Sequence, residues 1–142
     1  NKIWLYDQSN FELLQVDRQL NIEQRSGNLL QVAGLDSLQV DQLKEHQSKL
    51  YLNDPNTGVH VFDLFGTYYN TLHIKDIEQF EVYDNYLISL SGDSLSFYNR
   101  VSFSETKAEL PLKDIDSIAL TNDLVYILKK GWVYRFKILA DQ

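Results

Sequence analysis

The chain has 142 residues, 44% of them apolar, enough for one domain with a core and too many for a disordered segment. Thirteen basic against twenty acidic residues give a net charge of −7, and the scattered Lys and Arg side chains form no stripe to neutralise phosphates, so nucleic acid and anionic lipid are poor partners. With no cysteine there is no disulfide, thiolate metal site or Cys nucleophile, and the longest apolar run, Leu124 to Leu128, predicts no membrane insertion because a span needs roughly 18 residues.

In chain order, Lys2–Tyr6 and Phe11–Val16 are expected as strands, followed by a strand ending at Leu30 and Val32. Leu35–Val40 is then expected to open a second unit, with strands at Lys49–Leu52 and Val59–Asp63 and a last strand ending at Leu72 and Ile74. A third unit follows: Ile77–Val82, a polar turn at Asp84-Asn85, Tyr86–Leu90, a turn at Gly92-Asp93, Ser94–Asn99, and a strand ending at Leu110 and Leu112. The fourth runs through Ile115–Leu120, a turn at Asn122-Asp123, Leu124–Leu128, a turn at Lys130-Gly131, and Trp132–Ile138. Period-two alternation, enrichment in Tyr, Val, Ile and Phe, and regular turn residues are the basis for strands throughout.

These units are copies of one pattern. Leu35-Asp36-Ser37-Leu38-Gln39-Val40, Ile77-Glu78-Gln79-Phe80-Glu81-Val82 and Ile115-Asp116-Ser117-Ile118-Ala119-Leu120 each read apolar, acid, polar, apolar, any, apolar, at spacings of 42 and 38 residues. Two copies share Lys-Asp at the junction, Lys75-Asp76 and Lys113-Asp114. Four short strands per roughly 40 residues resembles the blade of a β-propeller. The resemblance is to the propeller superfamily in general, since no Trp-Asp, Gly-His or double-glycine signature is present.

The resemblance implies an all-β fold of antiparallel four-stranded blades, a partial β-propeller of about three and a half blades with three, four, four and three strands. The expected organisation is a single propeller-like domain over 1–142 with units near 1–34, 35–76, 77–114 and 115–142. It is expected to be part of a longer chain, because the start lacks Met and Asn1 enters at a second strand. Open apolar edges at the first and last strands would be completed by a protein partner, by a missing part of the same chain, or by a second copy in a homo-oligomer.

Repeated side chains are better suited to structure than to chemistry, because a reaction happens once. Asp36, Glu78 and Asp116 are therefore expected to cap turn amides, and Trp4, Tyr51 and Tyr126, with Ile88 at the same place, to pack between blades. Asp54-Pro55-Asn56-Thr57-Gly58 opens like a calcium loop, yet a strand follows at once, so a hairpin turn is expected. Of His46, His60 and His73, the last two are expected to face solvent; two ligands fall short of a zinc site. No nucleophile elbow or phosphate loop occurs. No catalytic, cofactor or metal residue is assigned.

Phe65, Tyr68, Tyr69 and Trp132 break the repeat, and exposed Tyr and Trp anchor many binding surfaces, which makes them the candidate partner-binding residues. The expected function is a non-catalytic protein-interaction module, a scaffold or accessory subunit of a larger assembly. The alternative is a fragment of an enzymatic or carbohydrate-binding propeller whose site lies elsewhere in a longer chain. Composition resembles extracytoplasmic (periplasmic or secreted) bacterial propellers, with a cytoplasmic location as the alternative.

Overall fold

Alternating side chains and tight polar turns produce fourteen strands and one short helix in a computed structural model that describes residues 2–121 and 124–138. The strands are β1 (Ile3–Asp7), β2 (Glu12–Val16), β3 (Ile22–Arg25), β4 (Gln42–His46), β5 (Lys49–Asp54), β6 (Gly58–Asp63), β7 (Tyr68–Leu72), β8 (Gln79–Tyr83), β9 (Tyr86–Ser91), β10 (Ser94–Asn99), β11 (Glu105–Glu109), β12 (Ser117–Thr121), β13 (Leu124–Lys129) and β14 (Trp132–Lys137). They form four antiparallel sheets, β1-β2-β3, β4-β5-β6-β7, β8-β9-β10-β11 and β12-β13-β14, which are sheets 1 to 4 below. The expected strand numbers of three, four, four and three are those observed. The turn expected at Asn122-Asp123 lies outside the described residues.

The chain divides into two compact units, Asn1–Lys75 and Asp76–Gln142. In the first, Leu13 of sheet 1 packs with Leu50, Leu52 and Phe62 of sheet 2 around Leu29 and Leu38, all but excluded from solvent. Trp4 and Tyr6 complete that layer from β1. In the second, Ile88, Leu90 and Leu95 of sheet 3 pack on Ile118, Val125 and Ile127 of sheet 4. Burying such side chains stabilises the fold by about 1.5–3 kcal/mol each.

Leu110 and Leu112, expected to end the last strand of the third unit, lie beyond β11, and two further segments depart from the sequence reading. Leu30 and Val32 do not end a strand; they lie in the helix α1 (Leu29–Ala33). Asn28 caps it, its side chain accepting the Gln31 amide at 3.2 Å, and Gly34 at φ +65° closes it in a left-handed conformation. Nor is Leu35–Val40 the first strand of sheet 2, which starts at Gln42. The tetrad Val40-Asp41-Gln42-Leu43 repeats the pattern of Leu35-Asp36-Ser37-Leu38 five residues later, and it is the later copy that pairs.

Backbone pairing shows which acids are equivalent. The amides of Asp41, Glu78 and Asp116 donate to Asn53, Leu90 and Leu128 carbonyls at 3.1, 2.9 and 2.9 Å. Asp41, not Asp36, is thus the first acid of the repeat, and Asp36 is an exposed loop residue beyond α1. Glu78 accepts the Gly92 amide at 2.8 Å and Asp116 the Lys130 amide at 2.6 Å, so both cap the next hairpin turn as expected. In sheet 2 the corresponding turn residue is Pro55, which has no amide proton, and Asp41 accepts from the Asn53 side chain at 2.8 Å instead. Asp116→Ala should therefore cost about 1 kcal/mol of stability, the usual net value of one such bond, whereas Asp36→Ala should leave the urea midpoint where it was.

Candidate functional site

The β6–β7 loop is built around Asp63. Its carboxylate accepts the amides of Phe65 and Thr67 at 2.8 Å each, and its carbonyl accepts that of Gly66 at 3.2 Å. Gly66 takes φ +87° where a Cβ would stand 2.6 Å from the Ser26 Cβ, so only glycine fits. The Gln24 side-chain amide holds the Leu64 carbonyl at 2.8 Å. This tight turn leaves Phe65 projecting, 75% exposed.

Tyr68 and Tyr69 then part company. The β6–β7 register slips between Val61 and Phe62, so that Phe62 faces Tyr68 while Val61 faces Asn70. Tyr69 is the extra residue of that bulge and turns outward, 55% exposed, with the Lys49 Nζ 4.6 Å from its ring centroid. Tyr68 turns inward: its ring lies 5.6 Å from that of Phe62, and its hydroxyl is 2.9 Å from Thr71 Oγ1. Of the three aromatics here, Phe65 and Tyr69 present themselves to solvent.

Trp132 opens β14 in the other unit and is 72% exposed, followed by Val133 at 65% and Tyr134 at 39%. Trp132, Tyr134 and Phe136 share one face of β14, and Val133, Arg135 and Lys137 the other. In sheets 2 and 3 the equivalent third strands, β6 and β10, are covered on their far edge by β7 and β11; β14 has no such neighbour among the described residues. A row of unpaired amides and carbonyls beside exposed Trp, Val and Tyr is a template for another strand. Val133 and Tyr134 were not singled out from sequence, although their place in a terminal alternating run could have marked them.

The histidines correct one expectation. His73 is exposed, but His60 is wholly buried. It pairs across the sheet with Leu52, beside Phe62, and its ring is fully engaged: Nε2 lies 2.8 Å from Thr57 Oγ1 and Nδ1 2.7 Å from Thr71 Oγ1. Burial holds its pKa below the ordinary 6.5, Asp54 opposing and His73 reinforcing the shift. The Asp54 carboxylate is itself committed to the turn, accepting the Gln39 amide at 2.9 Å and that of Asn56 at 2.8 Å. Nearby, Tyr6 donates to the Leu38 carbonyl at 3.0 Å, and burial first, then Asp54 and Asp7, push its pKa up to about 12. Among the described residues no three His, Asp or Glu side chains converge to hold a metal ion.

No protein-family model and no curated protein matches the chain. Solved structures do. Hsv2 of Kluyveromyces lactis aligns at 15% identity and a TM-score of 0.53 over 65% of this chain and 30% of its own. The N-terminal domain of Nup159 aligns at 11% identity and 0.52 over 94% of this chain and 43% of its own. The computationally designed protein Ika4 aligns at 11% and 0.58, over 97% and 86% respectively. The chain thus spans less than a third of Hsv2 and less than half of the Nup159 domain. At such identities the likeness concerns fold alone, and together with the four antiparallel sheets it establishes the chain as all-β, a partial β-propeller of blade-like sheets.

Proposed function

We propose that the chain is a protein-interaction module, a scaffold or accessory subunit that holds an extended segment of a protein partner along β14. The observation that carries this reading is the run Trp132-Val133-Tyr134, exposed by 72, 65 and 39% on a strand whose outer edge is unpaired among the described residues. Added strands draw affinity from main-chain hydrogen bonds and specificity from alternate side chains, and β14 offers both. Trp132 is the anchor of this surface; in the other unit Phe65, in the β6–β7 loop, and Tyr69, on β7, form a separate candidate contact, with Tyr68 holding β7 in place through Phe62 and Thr71.

A photo-crosslinking residue at position 132, compared with one at the exposed Lys107 on β11, tests this. The expected result is an adduct at 132 that maps to one extended segment of one other polypeptide, and none at 107. Equal labelling at both positions, or none at either, overturns the reading.

A further inference from the structure

We infer that the chain associates head to tail with a second copy of itself, the outer face of sheet 4 on one copy stacking on the outer face of sheet 1 on the other. The inference rests on the interaction reading and adds a second copy as a partner, on the flat face of sheet 4 rather than the outer edge of β14, with Val133 belonging to both.

Within each unit, one sheet packs flat on the next through equivalent side chains. In sheet 3 the layer presented to sheet 4 is Ile88, Leu90 and Leu95, exposed by only 2, 2 and 3%. Thirty-eight residues on, the repeat puts Tyr126, Leu128 and Val133 at the same places in sheet 4. These make a layer of the same chemistry, but Leu128 is 38% and Val133 65% exposed. Sheet 1 shows the converse. Leu50 and Leu52 of sheet 2, wholly buried, receive the layer from sheet 1. The equivalent residues of β1 are Ile3 and Leu5, 40 and 42% exposed, flanked by Ile22 at 46%.

Among the described residues the chain therefore carries one donor layer and one receiver layer of the kind that pack inside it, both left largely uncovered, with only Val16, opposite Ile3, buried on the receiver face. Soluble chains seldom leave such apolar faces bare unless something binds there. The charges are opposite in sign: Arg135 and Lys137 share the sheet 4 face, while the sheet 1 face holds Asp7 beside the internally neutralised Arg25–Glu12 pair at 3.0 Å. A donor face and a receiver face that differ make a heterologous contact, which must close a ring or grow without limit. Two copies bring eight sheets, a number at which propellers close.

Sedimentation velocity on the 142-residue chain at micromolar concentration is expected to give about twice the 16.6 kDa chain mass. Leu5→Glu and Val133→Glu, each checked for an unchanged circular dichroism spectrum, should each sediment at the single-chain mass. An equimolar mixture should regain the double mass, because one unaltered sheet 4 then meets one unaltered sheet 1. Ile3→Glu replaces Leu5→Glu if that variant does not fold. A wild-type chain at single mass overturns the inference, as do single variants that stay double or a mixture that stays single. A single-mass chain that still gives the Trp132 adduct to another polypeptide refutes the second copy while leaving the interaction reading standing. Loss of both refutes both.

Discussion

Replacing Gly58 with alanine is expected to lower the thermal midpoint by about 10 °C, the largest effect of any single added methyl group in the chain. Gly58 starts β6 at φ +117°, a conformation that costs a side chain about 1–3 kcal/mol. The added Cβ would also stand 2.3 Å from the Leu72 carbonyl oxygen and 3.3 Å from the His73 Cα. Both are backbone atoms of the strand it pairs with and the residue beyond, so no side-chain rotation relieves the clash, and overpacking adds a further 1–3 kcal/mol or so. Together these come to about 3 kcal/mol. Gly92→Ala is the control, because φ is +58° there and nothing lies within 4 Å of the added atom. It should cost only about 1 kcal/mol. Thermal unfolding followed by circular dichroism decides it: a Gly58→Ala midpoint no lower than that of Gly92→Ala would mean that β6 and β7 separate without cost at this point.

The difference between those glycines illustrates what was legible in the sequence. The second and third strands of every unit were readable to within a residue or two, because alternation and a tight turn act together there: Tyr86–Leu90 and Ser94–Asn99 lie on β9 and β10. The first strand of sheet 2 was not, because Leu35-Asp36-Ser37-Leu38 and Val40-Asp41-Gln42-Leu43 satisfy one pattern and only pairing to β5 selects the second. Leu30 and Val32 fit a strand as well as a single helical turn, and the deciding features are local, the Asn28 cap and the left-handed Gly34. At the candidate site, Phe65, Tyr69 and Trp132 break the repeat and are exposed, while Tyr68 is drawn inward by a bulge that sequence does not reveal. The exposed Leu128 and Val133 obey the repeat, so nothing in its pattern distinguishes them from their buried counterparts Leu90 and Leu95.

His60 is the sharpest of these reversals, since a polar residue amid Val59, Val61 and Phe62 reads as the solvent side of a strand, yet β6 is buried on both faces. Its neutral ring, held between Thr57 and Thr71, makes stability depend on pH in a window of its own. The folded pKa is lowered by burial, so the unfolded chain takes up a proton near pH 6.5 that the folded chain refuses. Stability is thus full above pH 6.5 and is lost as pH falls below it, at a slope of at most about 1.4 kcal/mol per pH unit. Asp7 and Asp17, whose pKa values are lowered chiefly by side-chain bonds from Asn10 and Asn21, weaken the fold only below their ordinary 3.8, well clear of this window. His60→Ala should cost about 3 kcal/mol at pH 7.5 through the cavity it leaves. His60→Leu should fill most of that space and abolish the slope between pH 6.5 and 5. Urea midpoints at half-unit pH steps measure both, and a His60→Leu protein that kept the wild-type acid slope would assign the proton to another group.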